Sequence, residues 1–563
     1  MLTRHWKLDA IGLLTVMVFA LIFCLSALPM LRLAYTAFWP HGAWDGAGFA
    51  ARFLKPQVLR AATHTLETSI WGAVVASLIG LPFAFVVGLT DLPARRILSF
   101  CLILPLMIAP QVTAIAWLHL FGPSSTLMEL LGFPPKIGSG NPMLGRDGII
   151  LLLGVQQAPI VFITVRAGLS RLPGDLIEAA RAAGASQKRV IVSIVLPLLR
   201  PHLLAAVLLS FMSGIGNFGI PALLGLPVNY LTLTTLIYQR LTSTGPDVLP
   251  ELAALSIAIG LAALCGIVIQ SLAMSSRQTY QLTSSKSTRL ELGSMRIPLA
   301  VIAWTIVVGM LILPTAALVA TSLIPAFGVP LSIRTITLDN YIEVLFRQAS
   351  TERAFFNSGL LSAAAAILLA GFAIPVGWIL SRCRSQIRTV LQTMIVLPYA
   401  MPGIVLSIAC ILLFLRPLPF AGSLYGTPWI ILIAYLMRFL TLATNPVTTQ
   451  IAQIPSALSE AAAAAGAGPL WRLMTIIAPI VAPAALAGCL LVFMMALNEL
   501  TVSALLWSHG TETLGVILFS LEEAGLGTQA AAIAIVSQML VIGILLLLDR
   551  IGRSLPAGIL PWR

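Results

Sequence analysis

"EAARAAGASQKRVIVSIVLP" occupies Glu178–Pro197 and "EAAAAAGAGPLWRLMTIIAP" occupies Glu460–Pro479. The second stretch lies 282 residues after the first, and the two align without a gap. Glu178 pairs with Glu460, Gly184 with Gly466 and Pro197 with Pro479; Pro173 upstream pairs with Pro455, and Pro201 downstream with Pro483. Both are polar, alanine-rich segments in an oily chain. In the first copy Asp175 is placed to N-cap a helix, with Glu178 at its third position as in a capping box. Ala179, Ala180, Ala182 and Ala183 favour helix strongly, and Gly184 suits a helix end that needs positive φ. The pattern predicts a short helix, a turn and a second amphipathic segment leading into an apolar span at Pro197 and Pro201. Small side chains let another surface approach closely. One copy would pass as an ordinary capped loop. Two aligned copies in otherwise diverged halves point to a docking surface.

The chain around these stretches has 563 residues, 58% hydrophobic and 9% charged, against about 25% charged in soluble domains. Its mean hydropathy is +0.98. So little polar surface could not cover a soluble core of this size, and apolar runs near the roughly 20 residues that cross a bilayer recur throughout. The sequence is that of an all-α polytopic membrane protein. Twelve spans fit, near 10–31, 65–89, 97–121, 148–167, 201–224, 252–274, 298–323, 357–380, 391–415, 428–446, 479–506 and 529–548. Prolines inside them, such as Pro105, Pro110, Pro398 and Pro402, are tolerated in membrane helices where neighbours satisfy the freed carbonyls.

Repetition extends beyond the two hairpins. "LIGLPFAFVVGL" around Pro82 resembles "LAGFAIPVGWIL" around Pro375, and "LILPLMIAP" (102–110) resembles "IVLPYAMP" (395–402). Six spans per half return the chain to the same side, so the halves are parallel repeats. The divisions are a first helix and outer loop (1–62), repeat 1 (63–274), a Ser/Thr-rich linker (275–296), a seventh helix and outer loop (297–356), repeat 2 (357–549) and a tail (550–563). With the N-terminus inside, about 22 of the 33 Lys and Arg residues fall on the cytoplasmic side, as the positive-inside bias requires. Both hairpins, the linker and both termini are then cytoplasmic. The net charge of +13 reads as this loop bias rather than as a nucleic-acid surface.

Here the residues carry a resemblance. Glu-Ala-Ala, a glycine four residues on and a proline beyond it resemble the EAA loop of ABC importer permeases. In that family the loop forms a coupling helix that docks on the ATP-binding subunit. The resemblance covers both halves, and the length resembles the fused permeases of the ferric iron and thiamine importers. "LNELTVSALLW" (497–507) and "TETLGVILFSLEEAG" (511–525) look most like the iron group. The resemblance implies a type I importer permease fold in a bacterial inner membrane, and ATPase coupling through Glu178, Ala179, Ala180 and Gly184 and through Glu460, Ala461, Ala462 and Gly466. It also implies two copies of an ABC ATPase and a periplasmic or lipid-anchored solute-binding protein as partners. Ferric iron leads as cargo, with thiamine, an aminophosphonate or a polyamine as alternatives. Pro469, where the first copy has Gln187, departs from the pattern and raises the question of how the second hairpin leaves its first helix.

The chain lacks the means to hydrolyse ATP. A P-loop needs Gly-Lys followed by Ser or Thr, and none of Lys7, Lys55, Lys136, Lys188 and Lys286 follows a glycine. No cofactor is expected on this chain, and MgATP is expected on the partner. The six cysteines are scattered through apolar segments without a C-x-x-C pair and read as core residues; no metal site is expected. No H-E-x-x-H or G-x-S-x-G stands in the sequence, so no catalytic residue is assigned. "DRIGR" (549–553) resembles part of a major facilitator signature, which keeps a twelve-helix secondary transporter as the alternative from another class; its place at the chain's end favours a basic stop after the last helix. The basic-then-apolar N-terminus reads as an uncleaved first helix. Trp39, Trp429 and Trp507 read as interfacial anchors.

Two polar features stand inside apolar runs. Asn498 and Glu499 lie in "MMALNELTV" (494–502), and Asn217 is the counterpart of Glu499 at the 282-residue offset. A carboxylate in lipid costs about 3 kcal/mol on insertion scales, so Glu499 is expected to face protein or a wet path, with Asn217 and Asn498 as further path candidates. An anionic group there would guide a hard cation such as ferric iron or a cationic organic solute; the plainer reading is a packing hydrogen bond between helices. Arg438, late in the tenth span, is expected to snorkel to the interface.

Overall fold

The computed structural model describes residues 10–40, 42–133, 138–170, 172, 174–241, 243, 245, 247–275, 292–417 and 422–551. Most of the linker and the tail lies outside these residues. Apolar runs become helices because a helix satisfies every backbone polar group within its own segment, as lipid demands. The membrane helices of the first half are α1 (Gly12–Phe38), α2 (Pro56–Leu89), the pair α3 (Arg95–Met107) and α4 (Pro110–Phe121), and α5 (Arg146–Leu169). The short α6 (Gly174–Ala182) precedes α7 (Ile191–Gly216), the bent pair α8 (Gly219–Val228) and α9 (Leu233–Leu241), and α10 (Val248–Ser275). The second half repeats the order: α11 (Gly293–Ser322), α12 (Ala349–Arg382), α13 (Ser385–Ala400) with α14 (Gly403–Phe414), α15 (Pro428–Ile451), α16 (Ser456–Ala464), α17 (Pro469–Leu497), α18 (Leu514–Glu523) and α19 (Gly527–Ile551).

Two of the expected straight spans are broken. The run 97–121 is α3 and α4, bent by 101°, and the run 391–415 is α13 and α14, bent by 104°. Hydropathy is continuous across both, but Pro110 and Pro402 remove N–H donors and push the preceding residue out of the helical region. α7 and α17 also stop early, at Gly216 and Leu497. Beyond α7 the chain turns along α2: the Thr65 hydroxyl accepts from the Leu233 N–H at 2.8 Å, and Arg240 reaches Gln57 at 2.6 Å. Segment 219–241 therefore completes the crossing begun by α7. Ser358 does the same for the Leu514 N–H at 2.8 Å in the second half. Among the described residues ten helices are long and apolar enough to cross a membrane; counting α3/α4 and α13/α14 as one crossing each, and α8/α9 with the crossing begun by α7, gives twelve, in two parallel six-helix repeats.

Elsewhere prolines produce a milder defect. Four π-helical turns, Phe23–Ala27, Ile191–Val195, Val308–Ile312 and Leu473–Ile477, each end two residues before a proline (Pro29, Pro197, Pro314, Pro479). The wider turn absorbs the carbonyl that proline leaves without a donor.

α2 and α5 run side by side in the same direction. Gly72, Ala76 and Gly80 give α2 a small-residue stripe, and a Cβ at Gly80 would lie 2.6 Å from the Ala158 carbonyl and 2.8 Å from Val161. Such close backbones are how membrane helices associate without a hydrophobic driving force. The leading helix of each half crosses to the other: the Ser26 hydroxyl and Arg32 of α1 donate to the carbonyls of Met394 and Leu412, while Arg296 of α11 lies 3.8 Å from Asp91. The halves are thereby interlocked, and both hairpins emerge at one end of the bundle.

Candidate functional site

The two hairpins are built alike. α6 and α16 each end in a glycine with positive φ, +81° at Gly184 and +84° at Gly466. In both, the N–H beyond the glycine bonds back across the turn, Ala185 to the Ala180 carbonyl at 3.0 Å and Ala467 to the Ala462 carbonyl at 2.9 Å. This is the Schellman closure. Glu178, Ala179, Glu460 and Ala461 are exposed, and Ala180 and Ala462 are half-buried. The expected cap is displaced: α6 begins at Gly174, so Asp175 lies inside its first turn, where its charge favours the helix dipole. Pro469 takes the first position of the helical turn Pro469–Arg472, where a missing N–H costs nothing. The second hairpin thus keeps its geometry. Arg472 adds a fastening, donating to the Ser459 carbonyl at 3.1 Å; the aligned residue in the first half is Val190.

At the bundle centre the helix breaks of one half meet the helix ends of the other. The Asn498 amide donates to the Met107 carbonyl at 3.5 Å, and Gln111 donates to the Asn498 carbonyl at 3.4 Å. Symmetrically, Pro402 lies against Gly216, 3.6 Å from where a Cβ would stand. Asn217 and Glu499 occupy equivalent turns, not helix interiors as the sequence suggested. Each holds the turn that leads into the next helix: Asn217 Oδ1 accepts from the Ile220 N–H at 3.1 Å, and Glu499 Oε1 accepts from the Val502 N–H at 3.1 Å and from the Thr501 hydroxyl. A side-chain acceptor three residues ahead of an N–H satisfies a donor that no helical carbonyl reaches at such a turn. Asn217, Asn498 and Glu499 are all half-buried.

Arg438 does not snorkel. Its Nε lies 3.3 Å from Glu499 Oε2, with the two side chains 18% and 10% exposed. The carboxylate is therefore not a free anion in this state, because a guanidinium neutralises it. The aligned position in α5 is Gln156, which donates to the Pro105 and Ile108 carbonyls at 2.6 and 3.2 Å and satisfies groups released by the α3–α4 break. Sequence reasoning gave Arg438 the wrong surroundings and did not single out Gln156. The 282-residue offset was the available signal, since it sets Gln156 against Arg438 just as it sets Asn217 against Glu499.

Away from the hairpins, at the opposite end, Arg353 grips Glu512 with two bonds of 3.1 Å. Burial alone would raise the Glu512 pKa. The Arg353 bonds and the backbone N–H donors of Glu512 and Gly510 outweigh it and hold the carboxyl at about 2. This pair fixes the loop ahead of α18 to the start of α12.

Comparison with known proteins agrees with this architecture. A "Probable ABC transporter permease protein y4fN" of Sinorhizobium fredii is 28% identical over 539 residues, covering 92% of each chain. A ferric transport system permease protein of Actinobacillus pleuropneumoniae is 26% identical over 510 residues, covering 89% of this chain and 72% of that one. A "Probable molybdenum ABC transporter permease protein" of Haloferax volcanii is 28% identical over 224 residues, covering 39% of this chain and 79% of that one. The family model for the binding-protein-dependent transport system inner membrane component matches twice, at residues 74–277 and 373–559, once on each repeat. That double match sets aside the major facilitator alternative. With two such repeats in one polypeptide, the chain belongs to the family of binding-protein-dependent transport system inner membrane components, the permeases of ABC importers.

Proposed function

We propose that this permease imports ferric iron across a bacterial inner membrane. The observation that carries the reading is the likeness to a ferric transport permease along 89% of the chain, against 39% for the molybdenum relative. In this reading the hairpin end is cytoplasmic, as are the linker and both termini. Two ATPase copies dock on α6 and α16 around Glu178, Ala179, Ala180 and Gly184 and around Glu460, Ala461, Ala462 and Gly466. The Schellman turns support this, because they present a short, smooth helix face with no side chain at its end. A solute-binding protein delivers cargo at the opposite end. ATP-driven closure of the ATPases moves the hairpins, α7 and α17 carry that motion to the centre, and the interlocked breaks shift between two arrangements. Asn217, Asn498 and Glu499 line the path at that level, where both halves turn.

The test is uptake by proteoliposomes holding the chain with its ATPase and binding protein. Radioiron(III) is expected to accumulate with ATP and to stimulate hydrolysis. Stimulation by molybdate and not by iron would overturn the cargo assignment.

A further inference from the structure

The flanks of α13 differ. Leu391 and Met394 face α1, sharing a surface groove with Thr15, Val16 and Phe19. At about 100° per residue, Tyr399 stands about 140° around the helix from Met394. It is 45% exposed and lies one turn ahead of the α13–α14 break, four residues before Gly403, which borders Arg438 and Thr501. The side chain is thus half-open and stands on a flank turned from α1. The break itself makes room for this cluster: a Cβ at Gly403 would lie 2.7 Å from Arg438 Nη1 and overlap the Thr501 hydroxyl. Only the second half has this chemistry. The aligned residues of the first half are Leu106 for Tyr399, Gln156 for Arg438, Asn217 for Glu499 and Gly219 for Thr501.

The Arg438–Glu499 contact also differs from a structural ion pair. Arg353 and Glu512 make the two-bond fork. Arg438 makes one contact, at 3.3 Å through Nε, and its buried Nη1 has no hydrogen-bond partner. A guanidinium held by one bond forgoes the bidentate geometry that makes such pairs strong.

We propose that Tyr399, Glu499 and Arg438 form a cation-exchange subsite in the second half: Glu499 rests on Arg438 when the path is empty and passes to an oxygen-seeking metal cation, with the Tyr399 hydroxyl oxygen as a second ligand. Hard cations take carboxylate and other oxygen donors, and Arg438 is the counter-ion that the cation displaces. The inference rests on the path reading given above.

Terbium(III), a hard trivalent probe, is titrated into the purified complete transporter in lipid nanodiscs. Glu499→Gln is expected to weaken binding by about tenfold or more and Tyr399→Phe by roughly fivefold, as charged and neutral ligands are lost. Arg438→Gln is expected to tighten it by about tenfold, because the competing charge is gone. That sign is the discriminating one, since a merely structural arginine would weaken or not move the site. Unchanged or weakened terbium binding in Arg438→Gln protein that melts like wild type overturns the subsite. If that variant does not fold, Arg438→Gln/Glu499→Asn re-creates the Gln156/Asn217 pair of the first half; it is expected to fold and lose terbium, and retained binding overturns the proposal. Radioiron uptake separates the two readings. Wild type that imports iron while Tyr399→Phe leaves terbium affinity and uptake unchanged removes the subsite and keeps the cargo. Wild type that imports no iron, with the terbium pattern as expected, removes the iron assignment and keeps a cation subsite.

Discussion

Substituting Gly466 by Asp tests the coupling role of the second hairpin, and its cost can be worked from the turn. The glycine sits at φ +84° with nothing within 4 Å of an added Cβ, so the new side chain meets no atom of the chain itself. What remains is conformational. A left-handed L-residue costs roughly 1–2 kcal/mol, and a carboxylate at a helix C-terminus adds about 0.5 kcal/mol against the dipole. A total near 2 kcal/mol shifts the local hairpin equilibrium by about 30-fold. It leaves the membrane core untouched, because α16 has no buried residue. Gly466→Asp is therefore expected to insert and melt like wild type, yet lose ATPase on co-purification and lose ATP-driven uptake. Gly466→Asn, which meets a similar backbone cost but brings no charge, is expected to keep more of both, so the difference between the two variants reports the charge at the docking face. Gly184→Asp, at φ +81° with the same empty surroundings, is expected to behave in the same way. Full ATPase binding and normal transport in both Asp variants would refute the docking argument.

Further outcomes follow from other sites. Gly80→Ile is expected to cost about 1–3 kcal/mol or more through overpacking and to lower the melting temperature in detergent, whereas Gly371→Ala, with nothing within 4 Å, is expected to melt unchanged. The Glu512 carboxyl is held at about 2 against an ordinary 4.5, so its contribution to the folded loop is full above pH 4.5 and is lost as pH falls toward 2. Hydrogen exchange at residues 508–514 is expected to accelerate through that window in wild type, and Glu512→Gln is expected to remove the dependence. In a cysteine-free background, cysteines replacing Ser285 and Lys136 are expected to label from opposite sides of the membrane; external labelling of both would break the twelve-span topology.

Much of this protein is legible in its sequence because the information is local or periodic. Apolar runs of bilayer length become membrane helices, since no other open structure satisfies the backbone in lipid. The gapless 282-residue offset between the hairpins discloses two parallel repeats, and Gly184 and Gly466 mark turns that require positive φ. Pro469, a departure from the pattern, proved harmless because it falls at a helix start.

The centre was not legible, for a physical reason. Hydropathy sums side-chain character and is blind to direction, so the runs 97–121 and 391–415 read as straight spans although each bends by more than 100°. Glu499 read as a helix-borne anion and Arg438 as an interfacial cation because they lie 61 residues apart. Only the packing of α15 against the end of α17 brings them within 3.3 Å and makes them a pair. Residue composition along the chain shows which groups a membrane would have to hide. Where they are hidden, and against what, follows from the packing of the helices, because a buried charge is governed by its neighbours in space rather than by its neighbours in the chain.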